Sequence, residues 1–342
     1  MQFKELKEQL FLPKKEYIIN QWANIRGIDV LLLSLTVGED KNCLWLAYVN
    51  DELDVNSFIS EEYQEEIKTN RQELLNNIEN SKKHKSIHIN KMEIQGQTVT
   101  FTSSCCGPIY DWNVEDKLLL QHFVEKGLIP KEWDEVNVEN IYIGRYEQME
   151  GETSPNIDRS KDLSVVLHIA KSSAEIPIQY PFNIYFGKQP VGTKITYYDE
   201  ELKGENFFYI DEIYAYDIYK EVEKGVQQIS DRKERKKVLK DLVKTMRRIC
   251  PIDKNMAVIK YETADNIQLR FMTRDYLESE PAYSNTGVAI GLASNKDEIG
   301  INGYKVRHCL LKPISKDFNG ILELELFSKI VEIPEEVVIC SR

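Results

Sequence analysis

Strand-like and helix-like stretches are segregated along this chain, and that segregation limits the folds open to it. From 163 to 216, four runs rich in β-branched and aromatic residues follow one another, at 163–170, 176–186, 194–198 and 207–216. Helical periodicity then gathers at 217–229 and 231–249 and ends before Pro251. Strand patterns return at 256–263 and 267–273, read as a hairpin across Ala264-Asp265-Asn266, and again at 304–312 and 321–332. The first half predicts a helix over 2–25 and a hairpin of 29–37 with 43–49. A polar helix over 60–80 and a second hairpin around Gly96 follow. After these come a helix over 114–126 capped by Asn113 and a strand at 138–146. Clustered rather than alternating elements favour α+β over α/β.

A chain of 342 residues is longer than most single domains. Residues 149–160 lack periodicity and carry Gly, Pro and Ser, so they mark a boundary. The expectation is two domains, each with antiparallel β-hairpins or sheet and flanking helices. An N-terminal domain covers 1–150, a linker 151–160 and a C-terminal domain 161–342.

Several chemistries lack their signatures. The sequence holds no G-x-x-x-x-G-K-[ST], no G-x-G-x-x-G after a strand, and no H-E-x-x-H, C-x-x-C or G-x-S-x-G. Six scattered cysteines do not make a disulfide framework in a chain of this length. No run approaches the ~18–20 apolar residues of a membrane span. The N-terminus has no basic stretch followed by an apolar one. A soluble, cytoplasmic protein is therefore expected, with no cofactor, no metal and no membrane association. The abundance of Lys, Ile, Asn and Glu fits an AT-rich bacterial genome.

The sharpest feature is a basic amphipathic helix at 231–249. Residues 232–248 hold nine basic and two acidic side chains within a chain of net charge −12. At about 100° per residue, Val238, Leu239, Leu242, Val243, Met246 and Ile249 share one arc of roughly 140°. Lys233, Lys236, Lys237, Lys240, Lys244, Arg247 and Arg248 crowd an opposing sector of roughly 120°. Such a stripe fits an acidic protein partner or another polyanion. Nucleic acid is a further candidate, although no base-stacking aromatic lies in the stripe. Internal neutralisation is the competing structural explanation, through Asp211, Glu212, Asp217, Glu221 and Glu223 of the preceding segment.

Other constellations are thinner. Cys106 follows Cys105 at the end of a predicted strand, and His122 is the nearest candidate base. His84 and His88 would have to join the two cysteines to make a zinc site, yet adjacent strand residues point to opposite faces. Asp199, Glu200, Glu201 and Lys203 resemble a nuclease metal site only in outline. The aromatic-rich stretch 180–219 reads chiefly as core. The leading expectation is a non-catalytic binding or regulatory protein that engages an acidic protein or other polyanion through the basic helix. The alternatives are a hydrolase-like enzyme using Cys106 or a carboxylate cluster, and a nucleic-acid-binding protein.

Overall fold

In the computed structural model the described residues are 11, 13–38, 41–51, 67–83, 87–110, 112–158, 160–281 and 298–341. Of these, 49% are strand and 21% helix. This overturns the expectation of an α+β chain with flanking helices: the protein is mostly β. The chain forms two compact units. Unit 1 comprises Met1–Gln64, Asn80–Ser172 and Ile333–Arg342, and unit 2 comprises Glu65–Glu79 and Ser173–Glu332.

Unit 1 is built on eight antiparallel strands. They are β1 (Lys15–Ile25), β2 (Ile28–Val37), β3 (Asn42–Val49), β4 (Ile89–Ile94), β5 (Gln97–Pro108), β6 (Ile141–Gln148), β7 (Val165–Ile169) and β16 (Glu336–Ile339). Their spatial order is β1-β2-β3-β6-β5-β4-β7-β16. The two edges meet where Trp22 N donates to Ser341 O at 2.6 Å and Ser341 N donates to Trp22 O at 2.8 Å, so the sheet nearly closes into a barrel. One further anchor is Arg26, whose guanidinium donates to Ser172 Oγ, Ala170 O and Pro334 O. Two-residue turns set the register of two hairpins. Arg26-Gly27 and Gln95-Gly96 all take positive φ, the geometry that matches strand twist and favours glycine second.

β2 is buried on both faces, which is why it reads as the near-continuous apolar run Ile-Asp-Val-Leu-Leu-Leu-Ser-Leu-Thr-Val. Leu32, Leu44, Leu46, Tyr48, Met92, Val99 and Tyr146 fill one core. Leu31, Leu33, Trp45, Ile109 and Ile143 face the other way, onto Phe123 of helix α2 (Val114–Glu125). Asn113 caps that helix, accepting from Glu115 N at 3.0 Å.

The predicted helix at 2–25 is corrected over its described part: residues 15–25 are β1. Tyr17, Ile19, Gln21, Ala23 and Ile25 are buried in alternation. The period of two is masked because polar Gln21 points inward while Ile18 is exposed and Trp22 half-buried. A bulge between Ile18 and Gln21, with Asn20 at φ 48°, adds to the irregularity. Residues 1–10 lie outside the described residues, as do 60–66 of the predicted polar helix, whose described portion is α1 (Asn70–Lys83).

Unit 2 places two sheets around one core. One has the order β10-β11-β12-β14, from β10 (Lys194–Asp199), β11 (Gly204–Tyr216), β12 (Lys254–Thr263) and β14 (Lys305–Ser315), with β9 (Gly187–Lys188) also paired to β11. The other has the order β13-β15-β8, from β13 (Ile267–Thr273), β15 (Ile321–Ile333) and β8 (Ser172–Tyr185). Phe208, Ile210, Ile259 and Tyr261 of the first meet Leu269, Phe271, Leu324 and Leu326 of the second. The hairpin predicted across 264–266 is thus half right: both strands form, but they enter different sheets. The Tyr261 hydroxyl ties the layers, accepting from Leu269 N at 2.9 Å and donating to Leu269 O at 3.1 Å.

Two ion-pair systems pin unit 2. Arg71 of α1 bonds both carboxylate oxygens of Glu325, at 2.6 and 2.8 Å, and also reaches Glu278. Deeper inside, Lys329 Nζ lies 2.6 Å from Asp199 Oδ2 and 3.2 Å from Glu201 Oε2, and Lys329 and Asp199 are both fully buried. Burial acts to raise the Asp199 carboxyl, but Lys329 and the Leu202 N–H outweigh it and hold the pKa below the ordinary value. Helices α3 (Ile218–Val226), α4 (Arg232–Met246) and the short α5 (Arg274–Glu278) complete the unit. No helix among the described residues is long and apolar enough to cross a membrane.

Candidate functional site

Helix α4 begins where Asp231 supplies a cap, its carboxylate accepting from Lys233 N at 2.8 Å and Glu234 N at 2.7 Å. Arg235 folds back to bond Ile229 O, which fixes the entry of the chain. The helix is held mainly at its C-terminal end. Met246 and Cys250 are buried against Ile218 and Met256, with Tyr219, Ile249 and Leu310 packed around them. The Tyr219 hydroxyl donates to Cys250 O. Toward the N-terminus the packing thins: Val238, Leu239 and Val243 are half-buried and Leu242 is exposed.

Lys233, Lys236, Lys237, Lys240, Lys244, Arg247 and Arg248 are all exposed. Helical geometry brings them onto one face over about 23 Å. Among the described residues, no ion pair engages Lys233, Lys236, Lys237, Lys240, Lys244 or Arg247. Three of the five acids of the preceding segment serve elsewhere. Asp217 caps α3 through Tyr219 N and Lys220 N, Glu221 pairs with Lys224 at 2.6 Å, and Asp211 faces Glu262. The basic residues of the last turn also lie at the negative end of the helix dipole, which favours their position there.

The other sequence candidates are dispersed. Cys106 Sγ turns toward Tyr48 Oη at 3.4 Å, and enclosure of the sulfur pushes the thiol pKa up although the residue as a whole is exposed. His122 instead meets the Glu16 carboxylate at 3.1 Å and packs edge-on against Phe11 and Phe123. The thiol and the imidazole therefore belong to separate clusters. We expect Cys105, the exposed neighbour, to be alkylated by iodoacetamide at pH 7 well before Cys106; faster labelling of Cys106 would contradict this geometry. His84 lies outside the described residues and His88 is exposed. Among the described residues no group of three or more His, Cys, Asp or Glu side chains is arranged to hold a metal. Asp199 is committed to Lys329. In the stretch 180–219, Tyr197 and Phe208 are buried and Tyr185 and Tyr198 exposed.

Two features gave no sequence signal. In unit 1 a cleft of about 650 Å³ is lined by Phe11, Trp45, Ile143 and Arg145 and rimmed by Trp112, which stacks on Tyr110 at 5.1 Å. In unit 2 a pocket of about 370 Å³ is bordered by Asp211, Lys260 and Glu298, beside the buried Glu262. Neither could be read ahead, because a bulge and a long-range loop contact create the second and an irregular loop the first. Comparison with protein-family models, curated proteins and solved structures returned no match.

Proposed function

We propose that this chain is a non-catalytic binding or regulatory protein of the bacterial cytoplasm. It engages an acidic protein, or another polyanion, through the exposed face of α4. The observation that carries this reading is a helix presenting six exposed basic side chains that form no ion pair among the described residues, in a chain of net charge −12. Such a stripe raises association rates with an anionic surface and disfavours cationic ones. The absence of stacking aromatics on the same face favours an acidic protein over single-stranded nucleic acid.

The test is binding to poly-L-glutamate and to a labelled DNA duplex at low salt. The quadruple reversal Lys236→Glu, Lys237→Glu, Lys240→Glu and Lys244→Glu is expected to weaken the productive interaction by about 100-fold or more. For duplex DNA, log affinity should fall with log salt with a slope of roughly −5 if six phosphates are neutralised. Binding that survives the reversal would sink the assignment to α4.

A further inference from the structure

The outer face of the β11–β12 pair carries a carboxyl arrangement that folding alone does not call for. Ile210 pairs with Tyr261 and Glu212 with Lys260, so Asp211 is the inserted residue of a β-bulge. The insertion explains why Ile210 and Ile213, three apart rather than two, are both buried in the core. It also turns Asp211 to the face on which Glu262 lies.

Glu262 has no exposed surface. Its carboxylate accepts from Asn302 N at 3.1 Å, Asn302 Nδ2 at 2.8 Å and Tyr304 N at 3.1 Å, all from the 298–304 segment. A Cβ at Gly300 would sit 2.0 Å from Glu262 Cδ, so only glycine lets this segment close over the carboxylate. The segment is itself a tight turn, with Gly303 N donating to Gly300 O and Gly300 N to Tyr304 O.

Among the described residues the charges around the pair are unbalanced. β11 contributes Asp211 and Glu212, β12 contributes Lys260 and Glu262, β9 contributes Lys188, and the covering segment contributes Glu298. Lys260 is spent on Glu298, at 3.0 Å. His308 of β14, opposite Lys260, is biased toward its neutral form by burial and by that ammonium. The phenols of Tyr209 and Tyr304, ring centroids 5.7 Å apart, complete the surroundings.

We propose that protonated Asp211, donating to the Glu262 carboxylate, acts as a latch on the 298–304 segment, and that loss of the Asp211 proton sets two carboxylates against each other and frees the segment. Burial, then the Glu262 charge, push Asp211 up to about 6. The sign follows. A carboxyl whose pKa is raised by folding stabilises the closed arrangement at low pH and loses that contribution as pH rises through about 6. The pocket of about 370 Å³ beside Asp211 gives its proton a route to solvent. What the latch presents is an aliphatic edge, Ile299 at 59% and Ile301 at 72% exposure, so pH would change how these two side chains are displayed.

The test is amide hydrogen exchange of Asn302 and Tyr304 in the full chain from pH 5 to 8, corrected for the intrinsic pH dependence of exchange. Protection should fall with rising pH by up to about 100-fold, the factor that links a carboxyl titrating near 6 when closed and near 4 when open. Asp211→Asn should keep both amides protected and flat across the range, and Glu262→Gln should lower protection already at pH 5. A flat wild-type profile, or a pH slope that survives in Asp211→Asn, would overturn the latch. As an independent measurement, the Asp211 carboxyl 13C shift should titrate near 6; a midpoint near 4 would overturn it as well.

Discussion

Replacing Lys329 with Ala is expected to destabilise unit 2 by about 3–5 kcal/mol. Removing one member of a buried ion pair strands the other without solvent, and that uncompensated charge dominates the loss. Here the stranded group is Asp199, which has no exposed surface and whose partner lies 2.6 Å away. Its remaining partners include the backbone N–H groups of Glu201 and Leu202, at 3.2 and 3.3 Å, and the Asn206 side chain. The double variant Lys329→Met, Asp199→Asn should recover most of the loss, because the amide oxygen still accepts those N–H groups and no charge remains buried. Urea unfolding followed by circular dichroism measures both. A Lys329→Ala midpoint equal to wild type would show that the pair contributes nothing. The depressed Asp199 pKa fixes the pH behaviour: the stabilisation is present above the ordinary carboxylate range and lost as pH falls through the folded-state value.

Deleting residues 335–342 is expected to disorganise unit 1. The deletion removes β16, which pairs with β7 from Glu336↔Ile169 to Ile339↔Val166, and it removes the Trp22–Ser341 bridge. Val338 and Cys340 leave the core, and Val338 alone contributes about 2 kcal/mol. Several ladder hydrogen bonds at about 1 kcal/mol each go with it. A loss of roughly 5 kcal/mol approaches the whole stability of a typical domain. All four tryptophans (Trp22, Trp45, Trp112 and Trp133) belong to unit 1, so their fluorescence reports on it alone. The truncated chain should show red-shifted emission without denaturant; a wild-type unfolding curve would mean that β16 is dispensable.

How much of this was legible in the sequence depended on how local the determining physics is. The hairpin around Gly96 and the Asn113 cap are set by residues within three positions of one another. Both form as expected. β1 was misread because its inward side includes Gln21, which bonds Leu163 O across 142 residues, a partner no local pattern reveals. β16 was missed because four residues between Pro334 and Cys340 carry too little periodicity to register. The basic face of α4 could be drawn as a wheel, since it depends only on helical spacing. That six of its cations, from Lys233 to Arg247, meet no ion-pair partner among the described residues could not, because that depends on where acids such as Asp217 and Glu221 are spent. The Asp211–Glu262 pair needed a bulge and a contact 40 residues away in sequence, at Asn302, before it existed at all.

The order of strands in unit 1 carries a consequence for biosynthesis. Seven of its strands precede Ser173, while the eighth follows the 160-residue segment Ser173–Glu332. On the ribosome, at about 5–20 residues per second, the nascent sheet therefore waits on the order of 10–30 s with both margins uncovered. That interval makes the emerging polypeptide a natural chaperone client, and it predicts that slowing translation after codon 172 lowers the yield of native protein more than slowing it before.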